Sequence, residues 1–301
     1  MTASLANPRR SNRKRNLFRY IVLILLAFIS LGPIFVMIAT SFKYQVNILS
    51  GDLSWLFVPT LSNYDEILNN SRFAVSMFSS LVISLCSTAL TLLVGSMASF
   101  AFARMRFPGR GVLAQITLLI RMIPPVVLAV TVVGFWIAWG IGERIPGLEI
   151  NLPAGSTRLF DGSQLGLILF YTALNLPFTI WLLFGFLKQI PVELEEAAIV
   201  DGANIFEVFF RVIFPLMGAG FAVSSIFTFR IAWNEFILAF MLTDRYTKTL
   251  PVFASEFIRD EGVVWGQMMA VGTLIAIPPL ILTFFAARQI IDGMTAGAVK
   301  G

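Results

Sequence analysis

Histidine is absent from this sequence of 301 residues, and cysteine occurs only once, as Cys86. Without histidine there is no imidazole for general acid–base catalysis or for a zinc site, and a single cysteine excludes a disulfide within the chain. The apolar runs also lack paired carboxylates and a nucleophile motif, so they hold no residues for an intramembrane enzyme. We therefore expect a non-catalytic protein in which Cys86 is a small packing residue.

Charge is scarce as well. Charged residues make up 13% of the chain and hydrophobic residues 57%, against roughly a quarter charged in an ordinary soluble domain. A soluble fold could not cover so much apolar surface, and the charges crowd into short segments between long uncharged runs. This layout indicates a polytopic membrane protein.

Six apolar segments are long enough to cross a bilayer, which takes about 20 helical residues. They are approximately 17–42, 73–103, 112–142, 165–187, 212–243 and 266–291. We therefore predict an all-α polytopic membrane protein with a basic tail at 1–16, a six-helix transmembrane domain at 17–294 and a C-terminal tail at 295–301. The uncharged run 21–40 is longer than a typical signal-peptide core, so the first helix is expected to be retained.

Basic residues are unevenly distributed between the two faces of this arrangement. The formal net charge is +5, and six of the 22 basic residues precede the first apolar run with no acid among them. This pattern indicates a topogenic signal, and no nucleic-acid partner is expected. With alternating loops, thirteen basic residues fall on the face of the termini and seven on the opposite face, so both termini are predicted to be cytoplasmic. The seven are Lys43, Arg72, Arg144, Arg158, Arg245, Lys248 and Arg259.

The loop between the fourth and fifth segments, at about 189–211, has the most informative pattern. Pro191 opens it, acids follow in the first helical turn, alanines continue the helix and Gly202 ends it. An amphipathic helical pattern then resumes from Ile205, until Pro215 is expected to interrupt it. The sequence thus predicts a helix, a glycine bend and a second helix along the cytoplasmic surface.

This loop resembles the signature of the inner-membrane permeases of binding-protein-dependent ABC importers, which has the form E-A-A-x3-G-x9-I-x-L-P. The matching residues in this chain are Glu196, Ala197, Ala198, Gly202, Val212, Phe214 and Pro215. Valine and phenylalanine stand in place of isoleucine and leucine, and both keep the apolar character of their positions. An ordinary amphipathic connector is the alternative, but the match extends over twenty residues.

Four further segments resemble the second permease subunit of carbohydrate importers of the maltose type. They are 122–125 (MIPP), 233–236 (WNEF), 249–252 (TLPV) and 295–301 (TAGAVKG). The resemblance covers nearly the whole chain from Leu17, with Arg230 outside the family pattern. It implies a type I ABC importer permease fold in a bacterial cytoplasmic (inner) membrane, and a sugar, polyol or sugar derivative as solute.

The resemblance also implies a division of labour. An extracytoplasmic solute-binding protein delivers the solute, this chain and a sister permease subunit form the path through the membrane lipid, and two ATP-binding subunits drive transport. The chain itself is expected to bind no cofactor, because ATP and Mg belong to the ATPase subunits. It also lacks the phosphate-binding pattern G-x-x-x-x-G-K-[ST].

In such permeases the matching loop is the coupling helix, which sits in a cleft of the ATPase, and the C-terminal tail reaches toward the same interface. Small alanines permit close approach, and Glu195 and Glu196 are expected to pair with basic residues of the partner. The coupling residues implied by the resemblance are Glu193, Glu195, Glu196, Ala197, Ala198, Asp201, Gly202 and Ala203.

Three ionisable residues, Arg121, Arg230 and Glu235, lie inside apolar segments, where a charge is costly. In one interpretation they pair with one another or with the sister subunit, or Arg121 snorkels to an interface. In the other they face a water-filled path together with Asn234. Arg230 and Asn234 share a helical face, while Glu235 points elsewhere. Two arginines against one glutamate would then suit an anionic sugar derivative.

Two other transport classes remain open. A self-contained secondary transporter would need coupling-ion sites, for which six spans are few and the intramembrane acids are limited to Glu235. An ABC permease for amino acids, peptides or an inorganic ion would keep the same machinery, although the carbohydrate-type C-terminus argues against it.

Overall fold

A computed structural model describes residues 8–50, 56–138, 150–151, 158–159, 162–244 and 247–298. Within these ranges the chain is helical apart from connecting segments and two short antiparallel ladders. In one ladder β1 (Ile150–Asn151) pairs with β2 (Arg158–Leu159), and in the other β3 (Ile258–Arg259) pairs with β4 (Gly262–Val263).

The helices of the described ranges follow one another along the chain with short connections. They are α1 (Pro8–Ser41), α2 (Gln45–Leu49), α3 (Ser62–Leu68), α4 (Ser71–Arg104), α5 (Arg110–Ile120), α6 (Pro125–Ala138), α7 (Gly162–Leu187), α8 (Glu193–Val200), α9 (Ile205–Glu207), a π-helical segment (Val208–Ile213), α10 (Phe214–Leu216), α11 (Gly218–Trp233), α12 (Ile237–Leu242), α13 (Leu250–Ser255) and α14 (Trp265–Ala298).

Four helices of the described part are long and apolar enough to cross a membrane, namely Asn16–Ser41, Ser71–Arg104, Ser163–Leu187 and Trp265–Ala286. Two helix pairs pass the same test but are bent at a short break. They are Arg110–Ile120 with Pro125–Trp136, bent by 97°, and Ile205–Leu216 with Gly218–Trp233, bent by 76°. Counting each bent pair as one span gives six, which confirms the predicted all-α polytopic fold.

The break in the third span follows from two adjacent prolines. A proline disfavours the α conformation of the residue before it, so Pro124 and Pro125 prevent α5 from continuing. Pro125 has no N–H to place in a helical hydrogen bond, and it is well suited to begin α6. Arg121, the C-cap residue of α5, therefore lies at the break.

The break in the fifth span lies at Met217, two residues beyond the predicted interruption at Pro215. Pro215 is in the first turn of α10, where its missing N–H is tolerated, and the π-helical segment directly precedes this helix. Met217 has φ −79° and ψ 8°, outside the α region. The prediction of an interruption at Pro215 was wrong because the prolyl ring fits a helix that restarts there.

The chain divides into two units by its internal contacts: Met1–Asn69 with Phe257–Leu274, and Asn70–Glu256 with Ile275–Gly301. In the first unit Asn63 on α3 donates from Nδ2 to the carbonyl oxygens of Ser41, at 2.8 Å, and Lys43, at 2.9 Å. The window of most apolar residues in α1 is 0% buried within the chain, so its side chains are available to lipid.

The second unit is built on close contact between α4 and α7. Ser99 donates its Oγ hydrogen to the Ile180 carbonyl oxygen on α7 at 2.9 Å, and a Cβ at Gly95 would lie 3.0 Å from Thr179 Cγ2. Small and hydroxyl-bearing residues are what let membrane helices approach closely and bond to one another. The hydroxyl residues buried along α4 are Ser76, Ser79, Ser80, Ser84, Ser87, Thr88, Thr91, Ser96 and Ser99.

Both ends of the long helices extend into the predicted tails. α1 begins at Pro8, inside the basic tail predicted at 1–16, and α14 ends at Ala298, inside the tail predicted at 295–301. Residues 1–7 and 299–301 lie outside the described residues, as do Arg144 and Arg245 from the charge count. The cytoplasmic placement of the termini therefore stays a prediction.

Candidate functional site

The predicted helix and glycine bend are both present in the loop after α7. α8 carries acids in its first turn, where the positive end of the helix dipole stabilises them. It ends in a Schellman motif, in which Gly202 N–H donates to the Ile199 carbonyl at 3.0 Å and Ala203 N–H to the Ala198 carbonyl at 2.9 Å. Gly202 has φ +90°, a left-handed conformation that glycine adopts without steric cost.

The second helix of the loop starts with a capping box at Asn204. Its Oδ1 accepts hydrogen bonds from Phe206 N–H and Glu207 N–H, both at 3.0 Å, while Glu207 Oε2 accepts one from Asn204 N–H at 3.0 Å. Glu207 also pairs with Arg211 one turn later, at 3.1 Å. The two helices are thus joined by a turn whose backbone conformation is fixed by hydrogen bonds on both sides.

An apolar cluster packs the loop against the spans beside it. Ala198 and Ala203, which flank the glycine bend, are half-buried against this cluster. A movement of α8 would therefore disturb the side chains of α4, α7 and the π-helical segment. The buried members of the cluster are Phe100, Leu183, Leu187, Val208, Phe209, Ile213 and Met217.

The opposite face of the loop is exposed and combines acids with apolar side chains. Val200 is 86% exposed and Phe206 65%, which is unusual for apolar residues of a loop facing only water. Most of the predicted coupling residues belong to this face. Those with exposed side chains or backbone are Glu193, Glu196, Ala197, Asp201 and Gly202.

Glu195 departs from the prediction. It is 6% exposed, and its Oε1 accepts a hydrogen bond from Arg104 Nε at 2.6 Å. The same guanidinium donates from Nη2 to the carbonyl oxygens of Ile190, at 2.8 Å, and Leu187, at 3.3 Å. The expectation that Glu195 pairs with a basic residue of a partner is therefore corrected, because its carboxylate is occupied within the chain.

Sequence reasoning missed Arg104, which was counted only as one positive charge of a loop. The available signal was its position as the last residue of α4, where a long cationic side chain can reach the terminal carbonyl groups of neighbouring helices. Its partner Glu195 is 91 residues away in the sequence, so the pair itself had no local signature.

Arg121 lies over an aromatic ring of α7. Its guanidinium carbon is 4.8 Å from the ring centroid of Phe178, a cation–π contact. Phe178 in turn meets Phe227 of α11 edge to face, with the ring centroids 5.4 Å apart. The structure therefore places Arg121 beside the fifth span, although the two lie in segments predicted separately.

Arg230 and Asn234 are exposed at the end of α11. The Asn234 side chain donates from Nδ2 to the Arg230 carbonyl oxygen at 3.0 Å, so it closes the helix and leaves the guanidinium of Arg230 out of this bond. No ion pair joins Arg121, Arg230 and Glu235 to one another in the part of the chain that the structure describes.

Glu235 caps the next helix. Its carboxylate accepts hydrogen bonds from the backbone N–H groups of Leu238, at 2.9 Å, and Ala239, at 3.1 Å, at the start of α12. Tyr171 on α7 donates its hydroxyl hydrogen to Glu235 Oε2 at 2.6 Å. The carboxylate is thus held by dipoles and a hydroxyl rather than by an arginine. Sequence reasoning also missed Tyr171, although a tyrosine hydroxyl inside an apolar span calls for a partner.

Comparisons with known proteins agree with this arrangement. The family model for the binding-protein-dependent transport system inner membrane component matches residues 91–296. A diacetylchitobiose uptake system permease protein of Streptomyces coelicolor is 34% identical over 275 residues, covering 89% of this chain and 91% of the relative. A trehalose transport system permease protein of Mycobacterium tuberculosis is 34% identical over 245 residues, covering 80% and 82%.

A solved structure shows the same fold. It is a bacterial ABC transporter involved in the import of the acidic polysaccharide alginate, which is 18% identical, has a TM-score of 0.72, and covers 96% of this chain and 99% of the solved one. The chain therefore has the fold of a type I ABC importer permease. On the extent of the family match, this protein belongs to the inner membrane components of binding-protein-dependent transport systems.

Proposed function

We propose that this chain is the permease subunit of a carbohydrate importer and that it forms, with a sister permease, the path for a sugar, polyol or sugar derivative. Separate ATP-binding subunits drive the movement, and an extracytoplasmic solute-binding protein delivers the solute. The observation that carries the proposal is the rigid helix–glycine–helix loop, exposed on one face and packed against the spans on the other, in a chain of this family.

The exposed face of α8 is the proposed contact with an ATPase subunit. Glu193, Glu196 and Asp201 offer carboxylates for basic residues of that partner, and the small side chain of Ala197 allows close approach. Val200 adds apolar surface that a partner would remove from water. A helix that served only as a solvated connector would gain nothing from such exposure.

The opposite face of the loop explains how force reaches the spans. Arg104 is bonded to α8 through Glu195 and to the end of α7 through Ile190 and Leu187. A rotation of α8 in a partner's cleft would be passed to α4 and α7 through these bonds and through the apolar cluster. ATP and Mg belong to the partner in this scheme.

Charge supports the proposed orientation. Arg104, Arg110, Lys188 and Arg211 lie at or beyond the ends of spans adjoining the loop. Basic residues favour the cytoplasmic side of a membrane. The loop would therefore face the cytoplasm, where ATPase subunits are found, and the chain would span a bacterial inner membrane several times.

The names of the two relatives support carbohydrate as the solute class, since one concerns diacetylchitobiose and the other trehalose. The alternative is an ABC permease for a solute that is not a carbohydrate. A self-contained secondary transporter is less well supported, because the intramembrane acid Glu235 is used to cap α12 and is not free to bind a coupling ion.

Site-directed crosslinking tests the proposed contact. Replacing the single cysteine by Cys86→Ser permits one new cysteine at a time, and Val200→Cys places it on the exposed face of α8. In native membranes we expect crosslinking to a protein that carries a phosphate-binding loop. Leu169→Cys, 53% exposed on α7, is the matched control and should give no such product. Equal crosslinking from both positions, or none from Val200→Cys, would remove the assignment of this loop.

A further inference from the structure

Two arginines of the second unit lie near one aromatic pair at depth in the membrane. α7 is a continuous helix, and Phe178 comes nine residues before its last residue, Leu187. At about 1.5 Å per residue this is about 14 Å, or roughly half of the 30 Å hydrocarbon core. Arg121 is held at this level by its contact with the Phe178 ring, so it does not snorkel to an interface.

Arg230 reaches the same region from α11. It follows Phe227 by three residues, which places the two side chains on one face of that helix. Phe227 meets Phe178 at 5.4 Å, edge to face. The aromatic pair is therefore flanked by Arg121 on the side of α7 and by Arg230 on the side of α11.

Neither guanidinium is neutralised within the described part of the chain. Arg121 has the Phe178 ring as its partner, and no carboxylate among the described residues contacts Arg230. Glu235, the nearest acid in the sequence, is occupied by Tyr171 and by two backbone N–H groups. Charged groups at this depth normally face a partner or a water-filled cavity. Both arginines are exposed on the surface of this chain.

We propose that Arg121, Phe178, Phe227 and Arg230 form a subsite for carbohydrates that carry a carboxylate, sulfonate or phosphate group. Guanidinium groups bind such anions through paired hydrogen bonds, and an aromatic ring offers a flat apolar surface to the C–H face of a sugar ring. The inference rests on the proposed function, because it requires that these residues line the solute path. It narrows the solute class from carbohydrates in general to anionic ones.

Equilibrium binding to the assembled transporter, purified from membranes without its solute-binding protein, tests the subsite directly. The probes are glucuronate, sulfoquinovose and glucose 6-phosphate, each compared with neutral glucose. We expect at least one anionic probe to bind ten times more tightly than glucose, and Arg230→Gln to abolish the preference. Arg230→Lys should retain part of it, because the charge remains while the planar fork is lost.

Arg110→Gln is the matched control. It removes an arginine of the same unit at the start of α5, about 16 Å along the helix from Arg121, and should leave the preference unchanged. Binding of no anionic probe above glucose, or an equal loss with Arg110→Gln and Arg230→Gln, overturns the proposal. This assay needs no ATP, so its failure would leave the crosslinking result for Val200→Cys, and with it the import function, intact.

Discussion

Arg104 Nε lies 2.6 Å from Glu195 Oε1 and joins the last residue of α4 to the first turn of α8. The two side chains are 14% and 8% exposed, so the pair is almost fully removed from water. A buried ion pair is strongly destabilised when one partner is lost, because the remaining charge stays buried without compensation. This pair is therefore the polar connection between the loop and the spans.

Glu195→Gln should lower stability by about 3 to 5 kcal/mol, because it leaves the Arg104 guanidinium buried beside a neutral amide. The measurement is the thermal unfolding midpoint of the purified complex. The double variant Arg104→Met with Glu195→Leu removes both charges and should regain at least half of the loss, since apolar replacement of a buried pair is often well tolerated. If Glu195→Gln unfolds at the wild-type midpoint, the pair has no structural role.

The glycine bend should tolerate no side chain. Gly202→Ala places a Cβ at φ +90° and is expected to cost about 1 to 2 kcal/mol, or to rotate α8 relative to the second helix. ATP hydrolysis that no longer depends on the solute-binding protein would report the altered loop. Gly218→Ala is the control, because no atom lies within 4 Å of its added Cβ and its φ is not positive. Equal effects of the two substitutions would argue against a special role for the bend.

Tyr171→Phe tests the support of the break between α11 and α12. It removes the hydroxyl that donates to Glu235 Oε2, and loss of a hydrogen bond to a charged group costs about 1.5 to 3 kcal/mol. We expect a lower thermal midpoint for the complex. Tyr20→Phe, on the exposed face of α1, should leave the midpoint unchanged. A midpoint for Tyr171→Phe that equals the wild-type value would show that the two backbone N–H groups suffice to hold Glu235.

The spans and the bend of the loop could be predicted from the sequence because both depend on local pattern. An apolar run of sufficient length indicates a membrane helix whatever its neighbours are, and Gly202 after an acidic, alanine-rich helix indicates a left-handed end. The break at Met217 was not predictable in the same way, since Pro215 was the only visible signal and it turned out to start a helix.

The side-chain partners were harder to foresee because they come from distant segments. Tyr171 and Glu235 are 64 residues apart, and Arg104 and Glu195 are 91 apart. Glu195 and Glu196 are neighbours with the same chemistry, yet only the packing of α8 against the spans decides that one is buried and the other exposed. Local pattern carries no information about such a choice.

The roles predicted for the coupling residues and for the path residues stay predictions. They concern contacts with other chains and with a solute, and the side chains of the tail at 295–301 lie outside the described residues. The fold locates the candidate residues, and mutation of single positions decides their roles.

ATP-driven uptake into proteoliposomes tests the central claim most directly. Vesicles that contain the whole transporter with ATP inside should accumulate the solute delivered by the binding protein, and vesicles without the ATPase subunits should accumulate none. Glu196→Lys should reduce uptake at least tenfold in a complex that still inserts and contains all subunits, whereas Glu196→Asp should retain most of it. Solute uptake by vesicles that contain this chain without any ATPase subunit would contradict the account.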